Sequence, residues 1–491
     1  MRNLFVKARG LMFNWQKILF YVFVGGIILV ANAFRFYALD RVPYGFHVDE
    51  MVTALNAYCL STEGTDVRRN PYPLFPETMY GSPKPPVYIY PAILWGKIFG
   101  FEAPSFRAFT ALSYVFAIAG LFFWLRRVLG LRAAMWAAVA ASISPWPWMY
   151  SRMGYESIFE LAFIVWGLYF FFHRDDWRHI LPAAIFFACA IYVYPAARLQ
   201  VPFIIFSAFL YRLIRKETSW KSFGLLLVMV GILLIPLGHE LMGNKGLSRR
   251  LSEVAIFSPD VLTAEGLKGD FAGLWQLFWK NYGKHVTWKF LFFKGGDNLI
   301  QTTQAFGILG WFDILGIVAA FLLGLRCLLM RGKGDHLFAR HGWFIALCIS
   351  NFLFAIVPSA LTNVEIPHAL RMMSGAIFVF AMTGLFLSET DKILHWGSWG
   401  SLLVAGVFLV VFLRIYFLQY PQNSKGMFWF WSQEQARAAK TNEDWFKFMV
   451  AHRGQDYHVM YYLIFYKGGE GCNSSRTKWE LMQKLLSSRG L

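Results

Sequence analysis

The sequence predicts an all-α protein that crosses a membrane many times. Hydrophobic residues make up 57% of the 491 residues, whereas charged residues make up only 15%. A soluble globular chain of this length usually carries more charge. Apolar runs of roughly 20 residues, the length of a helix that spans a bilayer, recur along the chain. These observations favour a polytopic membrane protein and exclude an ordinary soluble domain.

The first predicted span covers residues 18–37. It lacks the small-residue cleavage site of a secretory signal, so we interpret it as a retained helix. Further apolar runs bring the expected number of spans to about eleven: 106–125, 133–150, 157–172, 180–194, 199–214, 222–240, 305–330, 343–358, 371–387 and 397–418. The segment 84–100 is short and begins with prolines, which predicts a juxtamembrane helix in the outer interface and not a span.

Lysine and arginine in short loops set the predicted orientation. Every second loop is rich in them: Arg2, Lys7, Arg9 and Lys17; Arg126, Arg127 and Arg132; Arg174 and Arg178; Arg212, Arg215, Lys216 and Lys221; Arg331, Lys333 and Arg340. These loops are therefore predicted to be cytoplasmic. The outer side then holds loop 38–105, the turn 151–156, the long loop 241–304 and the tail after Tyr420.

The net charge of +18 is not fully explained by the cytoplasmic loops. The long outer loop adds further basic residues: Lys245, Arg249, Arg250, Lys268, Lys280, Lys284, Lys289 and Lys294. Anionic lipid headgroups or phosphates are the expected partners of this loop. Nucleic acid is not expected, because the sequence has no soluble basic domain.

The tail has a different character from the rest of the chain. Residues 433–471 predict an amphipathic helix followed by a strand-like run, "YHVMYYLIFY". We therefore divide the chain into a membrane domain, 1–420, and a small outer α/β domain, 421–491. The five cysteines include no C-x-x-C motif, and separate thiols are the favoured interpretation, although Cys59 and Cys472 both fall outside and would pair if they were close.

Two adjacent carboxylates, Asp49 and Glu50, follow the first span in "YGFHVDEMVTALNAY". Pro43 and Gly45 predict a sharp turn before them, and the residues after them predict a surface helix, so the carboxylates are expected at a helix entrance. Their oxygens suit Mg²⁺ or Mn²⁺ as ligands. The chain has no D-x-D motif here, however, and two cations can replace a metal at a phosphate. We therefore predict a site without metal or cofactor.

Other polar residues fall at the same depth on the outer side. They are Lys84 in "SPKPP", Arg152 and Glu156 in "MYSRMGYES", Tyr194 and Arg198 in "YVYPAARLQVP", and Glu365, His368 and Arg371 in "NVEIPHALRMM". Carboxylates serve as general bases and cations neutralise phosphates. Their convergence predicts attack by a hydroxyl on a lipid-linked phosphosugar.

Five segments occur in the order seen in bacterial integral-membrane glycosyltransferases of the C-type fold: "FHVDE", "GSPKPPVYIYPAILWGKIFG", "EAPSFRAFTAL", "SPWPWMYSRMGYES" and "YVYPAARLQVP". The chain resembles most the protein O-mannosyltransferases and the aminoarabinose transferases that act on lipid A. This resemblance implies a polyprenyl-phosphate sugar donor and a lipid, glycan or protein acceptor. It also implies a multi-pass protein of the bacterial cytoplasmic (inner) membrane whose site and C-terminus face outside.

The resemblance also implies roles for single residues. Asp49 corresponds to the catalytic carboxylate, which would take the acceptor proton as the hydroxyl oxygen attacks the anomeric carbon with inversion. Glu50 is its neighbour in the motif, and Glu156 stands where relatives often have Asp. Lys84, Arg371 and His368 are expected at the donor phosphate. The predicted sugar or acceptor contacts are Arg152, Tyr194, Arg198, Asp297 and Asn298, the last two in "FFKGGDNLIQTTQAFGILGW".

Two other functions fit parts of the sequence. A secondary transporter would suit eleven spans and the intramembrane Asp313, but transporters tend to have repeated halves and a midplane polar site, which this sequence does not show. An envelope polysaccharide polymerase or ligase would place its Arg and His residues in one large late outer loop and would lack the early Asp-Glu pair.

Overall fold

The structure is a computed structural model. It describes residues 2–79, 81–243, 254–268, 270–329, 337–394, 397–428, 430–452, 456–467 and 471–488. Five basic residues named above, Lys245, Arg249, Arg250, Arg331 and Lys333, lie outside these ranges.

Helices occupy most of the described chain. The first half contains α1 (Arg2–Phe36), α2 (Val48–Glu63), α3 (Pro86–Phe99), α4 (Ala103–Val128), α5 (Leu131–Ile143), α6 (Pro145–Ser151), α7 (Ser157–Phe171), α8 (Trp177–Val193), α9 (Ala197–Ile214), α10 (Trp220–Leu233) and α11 (Ile235–Gly243). The predicted span 133–150 is thus divided, because Pro145 removes an amide donor and begins a new helix.

The second half continues in the same way. It contains α12 (Pro259–Ala264), α13 (Phe271–His285), α14 (Trp311–Leu329), α15 (Leu337–Ala355), α16 (Val357–Ala360), α17 (Gly375–Asp391), α18 (Gly397–Arg414), α19 (Tyr420–Ser424), α20 (Phe430–Ala438), α21 (Asn442–Ala451), α22 (Asp456–Phe465) and α23 (Cys472–Ser488). Short π or 3₁₀ turns lie at Lys289–Phe293, Leu370–Met372, Ile415–Gln419 and Lys425–Phe428.

The prediction of a multi-pass membrane protein agrees with helix length and composition. Six described stretches are long and apolar enough to cross a membrane: Ile18–Phe36, Ala103–Val128, Ala197–Ile214, Trp220–Gly243, Ala339–Ala360 and Gly397–Phe428. Helices also occupy the other predicted spans, but the number eleven stays a prediction. Helix α3 has 14 residues, which is shorter than the roughly 20 that a span requires.

Helices α5 and α17 pack through small residues. In α5, Ala133 and Ala137 face Gly384 of α17, and a Cβ atom at position 384 would come within 2.4 Å of the Ala133 carbonyl oxygen. Glycine is therefore required for this close approach. Small residues at helix contacts are the usual means of association in membranes, where lipid tails are as apolar as leucine.

Two predictions for the tail are wrong. Residues 457–466 do not form a strand, because they lie almost entirely in helix α22, and the described part of the tail is helical. Val459, Met460, Tyr461 and Tyr462 are all buried, and a run that is apolar on every side does not distinguish a helix from a strand. The thiols are not separate either, since Cys59 in α2 and Cys472 in α23 form a disulfide.

Candidate active site

The two adjacent carboxylates lie in the first turn of α2, as predicted. His47 is the N-cap residue, and its Nδ1 accepts a hydrogen bond from the Asp49 amide at 3.3 Å. The Glu50 side chain returns to the His47 amide at 2.7 Å, which completes a capping box. The cap fixes the start of the helix, and with it the directions in which Asp49 and Glu50 point.

Glu50 is directed into the protein. Its side chain is fully buried and forms a bidentate pair with Arg107 of α4, at 2.6 and 2.9 Å. The same carboxylate accepts the Gly154 amide at 3.0 Å. A Cβ atom at position 154 would lie 3.3 Å from Glu50 Cγ, so glycine permits this approach. Glu50 therefore links α2, α4 and the turn before α7.

Arg107 is a functional residue that sequence reasoning missed. Besides Glu50, its guanidinium donates to three backbone carbonyls of the turn that precedes α2: Leu39, Pro43 and Gly45. A single cation thereby holds the whole entrance to the helix. Its position in the resemblance segment "EAPSFRAFTAL", as a charge within a span, was the signal that could have revealed it.

Asp49 points the other way, towards the other predicted site residues. The Lys84 ammonium lies 3.2 Å from Asp49 Oδ1 and 3.3 Å from Glu156 Oε1. The side chain of Asp49 is 25% exposed, whereas that of Lys84 is only 4% exposed. Three residues far apart in sequence thus converge on the Lys84 ammonium, and Asp49 is the more exposed of the two carboxylates.

The loop that carries Lys84 is organised by a buried carboxylate, Asp66. It accepts the amides of Arg68, Asn70 and Glu77. The Lys84 amide in turn donates to the Pro76 carbonyl at 2.7 Å. Because helix α3 begins directly after Pro85, the ammonium has little freedom to move away from Asp49.

Two aromatic side chains extend the site from Asp49. The Tyr155 hydroxyl lies 3.1 Å from His47 Nδ1. Because this nitrogen already accepts a hydrogen bond from the Asp49 amide, it carries no proton, and the Tyr155 hydroxyl is the donor to it. Burial, together with the Asp49 carboxylate, raises the pKa of Tyr155 well above its usual value, so the phenol keeps this proton. The ring of Tyr155 contacts that of Tyr150 edge-on, with centroids 5.9 Å apart.

Arg152, predicted to contact sugar or acceptor, is completely buried. Its guanidinium donates to carbonyls at the end of α1 and in the following turn: Phe34, Arg35, Tyr37 and Val42. Such carbonyls lack helical partners, and a cation satisfies them well. The Arg152 guanidinium is thus occupied by backbone carbonyls and, at 3.3 Å, by the Tyr416 hydroxyl.

A second polar cluster contains the late residues. Arg371 donates to Thr362 Oγ1 at 2.6 Å and to the Val364 carbonyl at 2.9 Å. Glu365 accepts from Asn298 at 2.9 Å and from Gln301 at 2.7 Å, which joins the loop after α13 to the loop before α17.

His368 belongs to this cluster through its backbone. Its amide donates to Nε2 of His285 at 3.0 Å, and the Ser359 hydroxyl lies 2.7 Å from the same nitrogen. His285 Nδ1 donates to the Asn281 carbonyl at 2.8 Å. Burial lowers the pKa of His285 to about 4 and holds the pKa of His368 well below its usual value. Both imidazoles are therefore neutral at pH 7.

The remaining predicted site residues lie at the edges of the two polar clusters or outside them. Asp297 is exposed and pairs with Lys294 at 2.8 Å, so the structure does not bring it to Asp49. Tyr194 follows the end of α8 and is near Tyr150. Arg198 is in the first turn of α9, and its Nε atom is buried without a hydrogen-bond partner among the described residues. Asp313 accepts the Gly310 amide and thus caps α14.

The alternative of a divalent ion shared by Asp49 and Glu50 does not fit these side chains. Both oxygens of Glu50 accept bonds from Arg107, and the two carboxylates point in different directions. In the described part of the chain, no three His, Cys, Asp or Glu residues gather as metal ligands. We derive no chemical step through a metal.

The segment that carries Lys84 and Glu156 matches a known family. Residues 83–239 match the sequence model of the family described as dolichyl-phosphate-mannose-protein mannosyltransferase. This match confirms the resemblance to protein mannosyltransferases for that segment, which is less than half of the chain. No curated protein sequence matches the chain.

Solved structures show a similar course of the chain at low sequence identity. ArnT from Cupriavidus metallidurans bound to undecaprenyl phosphate has a TM-score of 0.45 and 15% identity, and the match covers 95% of this chain and 75% of that one. The archaeal oligosaccharyltransferase AglB from Archaeoglobus fulgidus, in complex with an inhibitory peptide and a dolichol-phosphate, gives 0.47 and 17%, covering 92% of this chain and 60% of that one.

The Archaeoglobus fulgidus oligosaccharyltransferase in complex with Zn and sulfate gives a TM-score of 0.47 and 16% identity, with 88% of this chain covered. The chain spans only 57% of the length of that protein.

Proposed function

We propose that the protein is an inverting glycosyltransferase that moves a sugar from a polyprenyl-phosphate donor to a hydroxyl group of a lipid, glycan or protein acceptor. The observation that carries this proposal is the contact of Asp49 with Lys84, whose ammonium also reaches Glu156. A partly exposed carboxylate and a cation beside it would supply the base and the phosphate ligand that such a transfer needs.

In the proposed reaction, Asp49 accepts the proton of the acceptor hydroxyl. The hydroxyl oxygen then forms a bond to the anomeric carbon of the sugar. The bond from that carbon to the phosphate oxygen breaks, and its electron pair leaves with the polyprenyl phosphate. Because attack and departure occur on opposite faces, the anomeric configuration inverts.

The departing phosphate gains negative charge, which cations stabilise. Lys84 is next to the proposed base, and Arg371 is in the second polar cluster, where it donates to Thr362 and Val364. We assign the donor phosphate to the space between these two cations. Glu50 and Arg152, buried on their partners, act as positioning residues in this proposal and do not touch substrate.

We further propose that this chemistry takes place on the outer face of the bacterial cytoplasmic membrane. The Cys59–Cys472 disulfide supports this, because disulfides persist in oxidising compartments and Cys59 is in the same helix as Asp49. The loops rich in arginine, which are predicted to be cytoplasmic, agree with this orientation. The tail, 421–491, would then be outside as well.

The test is transfer of labelled sugar from polyprenyl-phosphate donors in membranes that contain the protein. Asp49→Asn keeps the shape of the side chain but removes the base, so turnover should fall by at least about 10²-fold while donor binding is retained. Asp40→Asn is the matched control, since Asp40 is exposed in the same loop and pairs only with Arg41 among the described residues. Wild-type transfer by Asp49→Asn, or a product with retained configuration, would refute the mechanism.

A further inference from the structure

Helix α13 carries an exposed aromatic stripe. Phe271, Trp275 and Trp279 are 81%, 56% and 49% exposed. They recur at every fourth residue, and Phe278 and Tyr282 complete the same side of the helix. The rings contact one another, with centroids 5.6 Å apart for Trp275 and Trp279 and 5.3 Å apart for Trp279 and Tyr282. The stripe is therefore one continuous apolar surface.

The other two sides of α13 differ from this stripe. Leu277, Asn281 and His285 are buried against the protein. Lys280 and Lys284 are exposed and four residues apart, so they share a polar side away from the aromatic rings. A helix with an aromatic side, a lysine side and a low net hydrophobicity is typical of helices that lie in the plane of a membrane interface.

The stripe is continuous with the exposed side of a candidate membrane span. The Tyr282 hydroxyl donates to the carbonyl of Leu353 at 3.0 Å, and Leu353 belongs to the apolar stretch Ala339–Ala360. Ile349 and Leu353 are exposed on that stretch. The aromatic side of α13 is thus adjacent to the exposed side of a candidate membrane span.

We propose that α13 docks into the headgroup region of the bilayer, with Trp275 and Trp279 at the level of the acyl chains and Lys280 and Lys284 against lipid phosphates. Tryptophan and tyrosine favour this depth because they combine an apolar ring with a polar group. The exposed lysines complement the negative charge of anionic lipids. The occupant of the stripe is therefore lipid.

Docking would fix a part of the candidate site. His285 is on the buried side of α13, and its ring accepts the His368 amide in the loop that leads to Arg371. A helix anchored in the interface therefore holds that loop at a set height above the membrane. The proposal concerns lipid contact alone, and it stands or falls separately from the proposed glycosyl transfer.

The test uses single-cysteine variants in nanodiscs that hold one copy of the protein. The free thiols are first removed with Cys189→Ser, Cys327→Ser and Cys348→Ser, which leaves the disulfide in place. Trp275→Cys and Trp279→Cys report on the stripe, and Gln276→Cys is the matched control, because residue 276 is exposed and lies off the aromatic side. The measurement is the rate of reaction with a charged, water-soluble maleimide.

We expect the stripe positions to react at least about tenfold more slowly than the control position, because the charged reagent does not enter the interface. Slower reaction of the stripe positions in phosphatidylglycerol discs than in phosphatidylcholine discs, lost in a Lys280→Gln and Lys284→Gln background, supports the phosphate contacts. Equal rates at residues 275, 276 and 279 would overturn the proposal. Both faces of a nanodisc are open to the reagent, so the result does not depend on orientation.

Discussion

The two polar clusters of the site are held by different forces. In the loop 38–105, buried ion pairs and a disulfide to the tail fix the helix that carries Asp49. In the late region, neutral hydrogen bonds through His285, Asn281 and Ser359 hold the loop that leads to Arg371. The proposed base, Asp49, is therefore held by charge and a covalent bond, whereas the position of the proposed phosphate ligand, Arg371, depends on the protonation state of His285.

Breaking the buried ion pair should have the largest effect. Glu50→Gln leaves Arg107 buried without its partner charge, which typically costs about 3–5 kcal/mol of folding free energy. The measurement is thermal unfolding of the purified variant, with Glu102→Gln as control, since Glu102 is exposed directly before α4. Unfolding at the wild-type temperature would mean that Glu50 does not hold the loop.

Removing the disulfide should be the next largest change. The Cys59→Ser, Cys472→Ser variant should lose about 2–4 kcal/mol, because the closed loop of the unfolded chain is released. A reductant should lower the Tm of the wild type but not of the double variant. Cys327→Ser, which removes a free thiol, is the control. A reductant-insensitive wild type would contradict the pairing.

Removal of Lys84 should affect chemistry more than folding. Lys84→Met leaves the Asp49 and Glu156 carboxylates without the cation between them and removes a proposed phosphate ligand, so kcat/KM should fall by about 10²-fold. Lys97→Met, at the exposed end of α3, is the control. Unchanged kcat/KM in Lys84→Met would remove this lysine from the mechanism.

The stability of the late region should decrease in acid. This is the smallest of the expected effects, and it is least near neutral pH. The lowered pKa of His285 means that the folded protein favours the neutral ring, so its contribution is complete above about pH 6.5 and is lost as the pH falls towards 4. Protonation of Nε2 would displace the His368 amide and the Ser359 hydroxyl as donors.

His285→Gln cannot titrate and should therefore flatten the loss of stability between pH 6.5 and 4. Unfolding free energy measured across this range in the variant and the wild type checks it. His239→Gln, at an exposed position, should leave the wild-type slope unchanged. A wild-type slope in His285→Gln would show that the late region is not the part that senses pH.

The sequence predicted much of the site but not the roles of its members. It singled out Asp49, Lys84 and Glu156, and the structure brings these three together. It missed Arg107, because the partner of Glu50 is 57 positions away and no local pattern indicates it. It interpreted Arg152 as a ligand, although a basic residue between apolar runs is equally suited to satisfy helix-end carbonyls.

The sequence alone was enough to predict the class of protein, the approximate positions of the helices and the start of a helix at Asp49. Apolar length and capping residues encode these features locally. The tertiary structure was needed to show which of two adjacent carboxylates pairs with Lys84 and which with Arg107, since neighbours on a helix project about 100° apart and packing selects the side. The fold of the tail and the pairing of Cys59 with Cys472 were decided in the same way, because both depend on contacts between segments more than 400 residues apart.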